Sequence, residues 1–365
     1  LRDDFNHEID VIVPGEGDFT KAISEKGFSY RVMPYKQTSS MRYGNWKSLA
    51  SMLITIKECM GNKRIANQFK SILQKNKYDI AYINDTTNSV GYYLAKVLDI
   101  PYVWHFRGYN KNIVSYMPIW DEIKFRKDLH GKVIVISNAM KEFMIQHRKL
   151  QERNLVVVYN GVKANSTRRK DILFSNGNEM HCLQCGHISL AKGQIDAVNA
   201  LGILIQKGFS DIFLHLAGTP SVSHGISYQS VLEERIAALG IEKYVIFEGE
   251  VKDMGEIRNH MQIELMCSIA EPFGRVTVEG MQNGLIVIGA NTGATPEIID
   301  DGVTGLLYTQ GDARSLATCI ERVYKDHQLG EELANNAFLF SKTHFTMEQN
   351  VKEINDVLMN QFLKV

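Results

Sequence analysis

Residues 271–284 read EPFGRVTVEGMQNG, and this stretch decides the fold predicted for the second half of the chain. Pro272 stops a preceding strand, Gly274 permits a tight backbone turn, and the residues that follow can begin a helix. The first N–H groups of a helix have no partner inside it, so together with the helix dipole they form an anion site suited to a diphosphate. We therefore expect a ligand-binding turn in a doubly wound α/β domain.

Two carboxylates flank this turn, Glu271 before the helix and Glu279 about one turn into it. A carboxylate aimed into an anion site would repel the phosphate, so both side chains are expected to face neutral hydrogen-bond donors such as sugar hydroxyls. A nucleotide-sugar carries a ribose on one side of its diphosphate and a hexose on the other. The alternative interpretation is that Glu271 complements the helix dipole while Glu279 is solvated.

Short β-rich runs alternate with helical patterns along the chain and predict parallel sheets built from βαβ units. The runs are IDVIV, YRVMPY, DIAYI, PYVWH and KVIVIS before residue 160, and IFLHLAG, YVIFEG and LIVIGA after residue 180. A polar segment, YNGVKANSTRRKDILFSNGNEM, separates the two groups. With 365 residues the chain exceeds the size of one core.

The predicted fold class is therefore α/β, with two doubly wound Rossmann-like domains. We assign residues 1–165 to the first domain and residues 166–345 to the second, and we expect the helix at 346–365 to pack back on the first. The chain opens with LRDDFNHEIDVIV, which resembles a helix end followed at once by a strand. We expect about one further strand and helix upstream.

Two more loops are expected at the same edge of the second sheet. LQCGHISLAKGQIDAV reads as a strand, a loop beginning at Gly186, and a helix entered through Lys192 and Gly193, which can bring an ammonium to a phosphate. The segment NGLIVIGANTGATPEIIDDGVTGLLY adds a buried strand and a Gly-rich loop. Ligands of doubly wound folds bind beyond the carboxyl ends of the strands, so three loops are expected to converge on one site.

Composition excludes several function classes. The formal net charge is zero, so no global field attracts nucleic acid. No apolar run approaches the roughly 20 residues that span a bilayer, and the first residues do not form a signal peptide. The five cysteines are odd in number, and Cys182 with Cys185 form a lone C-x-x-C that is a weak zinc signal, so we expect no metal.

One region departs from this neutrality. Between Lys36 and Lys77, nine basic residues are opposed only by Glu58, and apolar side chains recur among them. Such a basic amphipathic stretch can lie on an anionic membrane surface, where each Lys or Arg contributes about 1 kcal/mol. An ordinary solvated helix that turns its apolar face to the core explains the pattern equally well.

The motifs together resemble the family 4 retaining glycosyltransferases, which have the GT-B fold. In the second half these are CGHISLAKG (185–193), LHLAG (214–218), VIFEGEV (245–251), EPFGRVTVEGM (271–281) and GATPEIIDDGVTGLLY (293–308). In the first half they are YDIAYIND, PYVWHFRG, VIVISNAM and VVYNGV. The pair of glutamates with its flanking glycine is the specific part of the resemblance.

The resemblance implies roles for individual residues. Glu271 matches the acidic residue that contacts the hexose, and Glu279 matches the one that holds the ribose hydroxyls. Lys192 matches the lysine that neutralises the leaving diphosphate, and His105 matches a first-domain histidine that lines the sugar site. The remaining positions implied for nucleotide-sugar binding are Phe273, Gly274, Arg275, Val276, Gly186 and His187.

The chain departs from the family pattern at two of these positions. His187 stands where the family usually has arginine, and Arg275 stands where many members have leucine. Our hypothesis is that Arg275, which is permanently charged and can bind phosphate through two nitrogens, supplies the cation that His187 provides only when protonated.

The resemblance implies a retaining, metal-independent transfer of a hexosyl or N-acetylhexosaminyl group from a UDP-linked sugar, without a cofactor. The expected acceptor is a saccharide on a polyprenyl diphosphate lipid in surface polysaccharide (O-antigen or capsule) synthesis, with the enzyme in the cytoplasm, peripheral on the inner face of the plasma membrane. Two alternatives stay open: a sugar-nucleotide epimerase of the same fold, and a non-catalytic nucleotide-sugar-binding protein.

Overall fold

The computed structural model describes residues 1–38, 41–42, 46–108, 113–163, 179–223 and 226–363. These residues form two compact units, one of Leu1–Tyr159 with Asn350–Val365 and the other of Asn160–Gln349. The boundary expected at residues 165 and 166 lies outside the described residues. Within the described part of the chain, no helix is both long enough and apolar enough to cross a membrane.

The first unit alternates strands and helices along the chain. Its described strands are β1 (Asp10–Val13), β2 (Ser29–Val32), β3 (Met41–Arg42), β4 (Ala81–Asn84), β5 (Tyr102–Phe106), β6 (Ile113–Ser115), β7 (Gly131–Val135) and β8 (Leu155–Val157). Its described helices before residue 160 are α1 (Arg2–Phe5), α2 (Asp18–Glu25), α3 (Trp46–Leu73), α4 (Ser89–Leu98), α5 (Ile119–Lys127) and α6 (Asn138–Gln146).

Four parallel strands form the centre of the first unit, in the order β4-β5-β7-β8, and β1 pairs with β2 in a separate parallel pair. Every residue of β5 is buried, as expected for a strand covered on both faces. The ring of Trp104 packs on Phe106 and Phe125 with centroids 5.2 Å apart in each case. These aromatic contacts fix β5, whose carboxyl end carries His105.

The last helix, α14 (Met347–Phe362), packs on this sheet. Its residues Ile354, Val357 and Leu358 join Val103 and Ile134 in one buried apolar cluster. The Asn350 amide also donates to the carbonyl of Tyr159 at 2.6 Å. The end of the chain therefore belongs to the first compact unit.

The second unit contains the larger sheet. Its described strands are β9 (Met180–Cys185), β10 (Ile212–Ala217), β11 (Val222–Ser223), β12 (Ile226–Ser227), β13 (Val245–Gly249), β14 (Ile263–Met266), β15 (Ile286–Ala290) and β16 (Leu306–Tyr308). Its described helices up to residue 344 are α7 (Gln194–Gln206), α8 (Tyr228–Leu239), α9 (Met254–Arg258), α10 (Arg275–Gln282), α11 (Thr295–Ile298), α12 (Ala313–Lys325) and α13 (His327–His344).

Six parallel strands of this unit lie in the order β13-β10-β9-β14-β15-β16. Counted from β9, the order is 3-2-1-4-5-6, which is that of a doubly wound dinucleotide-binding sheet. The winding direction reverses between β9 and β14, so the loops that follow these two strands diverge and leave a crevice at the carboxyl edge. The predicted fold class is confirmed for this sheet, and the crevice position follows from the strand order.

Part of the basic stretch expected between Lys36 and Lys77 lies outside the described residues. Within helix α3, the expectation that Lys63 belongs to a basic surface is wrong. The Lys63 ammonium is 2.7 Å from the Asp121 carboxylate, which is 4% exposed, and it lies over the Tyr93 ring at 5.0 Å. Lys63 therefore joins α3 to α5 and does not form part of a free basic surface.

The apolar side chains of α3 are more exposed than a core helix allows. Thr55, Cys59 and Ala66 face the interior and are fully buried. Leu49 and Leu53, on the other side, are each 58% exposed. The neighbouring helix α5 also exposes large side chains, and these are Ile119, Trp120 and Ile123. We name Leu49, Leu53, Met60, Ile119, Trp120 and Ile123 the apolar surface of the first unit.

Candidate functional site

The candidate site lies at the carboxyl edge of the second sheet, where β9 and β14 are neighbours. Three loops start there, one after Cys185, one after Met266 and one after Ala290. Backbone contacts join them, because the Ile269 amide donates to the Ala191 carbonyl at 3.0 Å and the Ala294 amide donates to the Glu271 carbonyl at 2.9 Å. The three loops expected to converge do so in the structure.

The loop after β9 brings Lys192 to the crevice. Gly193 follows in a left-handed conformation with φ of +65°, and a Cβ built there would lie 2.0 Å from the carbonyl oxygen of Cys267. Only glycine therefore allows the first loop to pass so close to the second. The Gln184 amide also donates to the Lys192 carbonyl at 2.7 Å, which fixes the backbone that carries the ammonium.

Lys192 and Glu271 meet directly. The Lys192 ammonium is 2.7 Å from Oε2 of Glu271, and the glutamate side chain is only 13% exposed. Gly293 in the third loop allows this arrangement, since a Cβ there would lie 2.5 Å from the Glu271 carbonyl oxygen. A cation and a carboxylate from different loops therefore neutralise each other.

The turn before α10 has the conformation that the sequence predicts. Gly274 is the N-cap of α10 with φ of +100°, and because glycine has no side chain it leaves the first N–H groups of this helix uncapped. Its first N–H groups point toward the crevice end of the sheet, where an anion can accept from them. The ring of Phe273 is buried against Phe345 with centroids 5.6 Å apart, so only its backbone is available to a ligand.

Glu279 is held by two arginines. Its Oε1 accepts from the exposed Arg275 at 3.3 Å, and its Oε2 accepts from the buried Arg258 at 3.1 Å. Arg258 in turn pairs with Glu264 of β14 at 2.8 Å. Burial raises the pKa of Glu264, and the Arg258 guanidinium opposes that rise.

The other predicted positions of the second unit surround this centre. Gly186 turns the chain with φ of +129°, and Gly218 of the next loop lies so close that a Cβ would be 2.1 Å from the Gly186 carbonyl oxygen. His187 is exposed, and its Nδ1 lies 3.1 Å from the Thr219 hydroxyl. Val276 is half-buried in the first turn of α10.

His105 lies in the first unit, near the carboxyl end of β5. Its Nδ1 lies 2.6 Å from the Tyr82 hydroxyl, and within the described residues its buried Nε2 has no hydrogen-bond partner. Burial, with a smaller effect of the nearby Arg107 charge, lowers the pKa of His105 to about 3. The ring is neutral at physiological pH, and the whole side chain, Nε2 included, is buried.

Sequence reasoning missed Arg258 and Glu264. A signal for Glu264 was present, because it is the one charged residue in the apolar run MQIELMCSI, and a buried carboxylate requires a cationic partner. Nothing in the sequence around Arg258 identified it as that partner. Across the described ranges, no three His, Cys, Asp or Glu side chains are grouped so that they could bind a metal ion.

Two family profiles match the chain, one after the other. The profile described as Glycosyltransferase Family 4 matches residues 3–166, and the profile described as Glycosyl transferases group 1 matches residues 165–340. Together they span residues 3–340, which include Lys192, Glu271 and Glu279.

Individual relatives are distant. The chain is 23% identical over 284 residues to N-acetyl-alpha-D-glucosaminyl L-malate synthase of Bacillus anthracis, covering 75% of this chain and 72% of that protein. It is 24% identical over 242 residues to the capsular polysaccharide biosynthesis glycosyltransferase CapM of Staphylococcus aureus, covering 64% and 62%. The solved structure of Anabaena HepE in complex with UDP superposes with a TM-score of 0.77 at 21% identity, over 96% of this chain and 92% of that one. This similarity establishes the GT-B fold.

The buried, neutral His105 predicts a loss of stability in acid. Its folded pKa of about 3 lies below its ordinary value of 6.5, so the unfolded chain takes up a proton first as the pH falls. The stability that it contributes is complete above pH 6.5 and declines below it, by about 2 kcal/mol between pH 8 and pH 5. Urea unfolding of the wild type and of His105→Gln at both pH values measures this effect.

The variant cannot titrate at position 105, so its free energy of unfolding should fall less than that of the wild type between the two pH values. Equal pH dependence in the two proteins would contradict the burial of a neutral imidazole.

Proposed function

Because the chain belongs to the family 4 glycosyltransferases, we propose that it transfers a hexosyl or N-acetylhexosaminyl group from a nucleotide-sugar, UDP-linked, to a saccharide acceptor. We further propose that the reaction retains the anomeric configuration and needs no metal ion. The observation that carries this proposal is the meeting of Lys192, Glu271 and the uncapped start of α10 at one end of a doubly wound sheet.

The arrangement can bind a nucleotide-sugar in parts. The diphosphate fits at the N–H groups of α10, and Lys192 lies beside it. The carboxylates Glu271 and Glu279 can then accept from the hydroxyls of the hexose and the ribose, one on each side. The diphosphate competes with Glu271 for the Lys192 ammonium, so binding would break a 2.7 Å ion pair and leave the carboxylate available to the sugar.

Charge stabilisation of the leaving diphosphate is the main catalytic contribution that we propose. Lys192, Arg275 and the helix start supply positive charge that is in place before the reaction begins. The departing phosphate helps to deprotonate the acceptor hydroxyl on the same face of the sugar. Glu271 then orients the sugar and is not the nucleophile, so a glycosyl adduct trapped on Glu271 would overturn this assignment.

Metal independence follows from the same cations, which can neutralise the diphosphate without a bound ion. A large loss of turnover in the presence of a chelator would contradict it. We keep the hypothesis that Arg275 replaces the usual arginine at position 187, since Arg275 lies at the helix start and is 67% exposed. Unchanged affinity for the nucleotide-sugar in Arg275→Leu at neutral pH would reject it.

For the acceptor, we propose a saccharide on a polyprenyl diphosphate, in surface polysaccharide (O-antigen or capsule) synthesis at the inner membrane face. Support comes from the apolar surface of the first unit, which has Lys57, Arg64 and Lys124 exposed on the same two helices. Apolar side chains with adjacent basic residues are the combination that binds an anionic bilayer. The name of the relative CapM, a capsular polysaccharide biosynthesis glycosyltransferase, agrees with this acceptor class.

Two other functions are distinguished by their products. A sugar-nucleotide epimerase of the same fold would form free epimerised nucleotide-sugar when no acceptor is present. A binding protein would bind the nucleotide-sugar without hydrolysis or transfer. The name of the relative N-acetyl-alpha-D-glucosaminyl L-malate synthase contains a small acid, so small acids and saccharides both belong among the acceptors of a transfer assay.

Nucleotide-sugar binding should stabilise the protein through Lys192. A ligand present at about 100 times its dissociation constant adds about 2.7 kcal/mol to the free energy of unfolding. A thermal-shift screen of UDP-, GDP- and ADP-linked sugars should find one base that raises Tm, and Lys192→Met should lose most of that rise because the diphosphate loses its ammonium.

Lys207→Met is the matched control, because Lys207 also forms a Lys–Glu pair, at 2.6 Å to Glu321, in the same unit. It should respond to the ligand as the wild type does. Full stabilisation of Lys192→Met, or no response of the wild type to any nucleotide-sugar, would contradict the proposed site.

Membrane binding should depend on the apolar surface and not on Lys63. Each leucine that enters the bilayer contributes about 1.5–3 kcal/mol, so Leu49→Ser with Leu53→Ser should reduce co-sedimentation with phosphatidylglycerol vesicles at least tenfold. Leu339→Ser, at a position that is 56% exposed in the second unit, is the control. Equal sedimentation of both variants and the wild type would reject the membrane proposal.

A further inference from the structure

The buried pair of Arg258 and Glu264 does more than link two secondary-structure elements. The geometry points to Arg258 as a positioning residue that fixes the carboxylate of Glu279 for the ribose of the nucleotide-sugar, with Glu264 fixing Arg258. We name these three residues the carboxylate clamp. The inference rests on the proposed function, because it needs a nucleotide at Glu279.

Glu264 is the base of the clamp. It lies on β14, the strand beside the crevice, and its side chain is fully buried. Helix α10 passes directly over it, since a Cβ at Gly280 would lie 2.9 Å from the Cβ of Glu264. The glycine next to Glu279 therefore allows the helix and the buried carboxylate to approach, and this brings Glu279 within reach of the same arginine.

Arg258 joins the two carboxylates. Its Nε donates to Oε2 of Glu264 at 2.8 Å, and its Nη2 donates to Oε2 of Glu279 at 3.1 Å and, over a longer 3.5 Å, to Oε1 of Glu264. The guanidinium is planar and rigid, so fixing one side by Glu264 also fixes the direction of the other. A lysine ammonium has three donors on a single nitrogen but lacks the planar fork, so it would hold the second carboxylate in a less defined direction.

The clamp leaves one oxygen of Glu279 for a ligand. Oε2 is held from inside by Arg258, whose side chain is 4% exposed. Among the described residues, Oε1 has a hydrogen bond only from the exposed Arg275, at 3.3 Å. A hydroxyl that approaches from the crevice can therefore donate to Oε1 of a carboxylate whose orientation is already set, which reduces the ordering cost of binding.

Stability alone does not require this pair. Replacing a buried ion pair by neutral or apolar side chains of similar size is often neutral for folding, whereas removal of one partner leaves an uncompensated buried charge. Replacing both partners together, as Arg258→Met with Glu264→Gln, therefore removes the clamp at a small expected cost in stability.

The test compares nucleotides with and without ribose hydroxyls. Uridine, guanosine and adenosine diphosphates are titrated by calorimetry, and the tightest binder is then compared with its 2′,3′-dideoxy analogue. The wild type should favour the ribose form, and Glu279→Gln should remove most of that preference. The double variant at Arg258 and Glu264 should reduce the preference about tenfold, because the loss of a well-oriented charged hydrogen bond costs at least that much.

Two further variants separate positioning from folding. Arg258→Lys keeps the charge and should show an intermediate preference, which also keeps the test decisive if the double variant does not fold. Arg148→Met with Glu122→Gln removes a similar buried pair in the first unit, where Nη2 of Arg148 is 2.7 Å from the carboxylate, and should leave the preference unchanged.

The clamp would be overturned if Arg258→Lys and the double variant at Arg258 and Glu264 both kept the full preference for the ribose nucleotide while Glu279→Gln lost it. The proposed ribose contact at Glu279 would remain supported in that case. Absence of any ribose preference in the wild type would overturn both the clamp and the proposed ribose contact at Glu279.

Discussion

The order of the six parallel strands in the second unit is the constraint on which the candidate site depends. Because the winding reverses between β9 and β14, their loops separate and open a crevice at the carboxyl edge of the sheet. At Gly193 and Gly293 the backbones of neighbouring loops nevertheless lie so close together that only glycine fits. The result is a small region in which Lys192, Glu271 and the start of α10 meet.

The charges in this region are paired. Each carboxylate that the sequence identifies already has a cationic partner: Glu271 pairs with Lys192, and Glu279 pairs with Arg258 and Arg275. Two carboxylates can lie beside an anion site because these cations neutralise them. Under the proposed function, a diphosphate exchanges for Glu271 on the Lys192 ammonium. On that proposal, ligand binding replaces one ion pair by another.

Much of this could be predicted from the sequence, and the reasons for the rest are physical. The strand runs, the turn at Gly274 and the three loops follow from local patterns, and the fold class is confirmed. The strand Ile263–Met266 is fully buried but contains Glu264, and a charged residue does not indicate a buried strand. The ion-pair partner of Glu264 is Arg258, which lies on another element and is therefore not identified by the local sequence. Lys63 illustrates the opposite error, because charge composition cannot show that a lysine is paired across two helices with Asp121.

The most direct measurement is a crystal structure of the protein with the nucleoside diphosphate that it binds. We predict the diphosphate at the N–H groups that begin α10, the Lys192 ammonium on a phosphate oxygen, and the ribose hydroxyls on Glu279. The 2.7 Å ion pair between Lys192 and Glu271 should be broken in that complex. A nucleotide bound elsewhere, with that ion pair intact, would contradict the account.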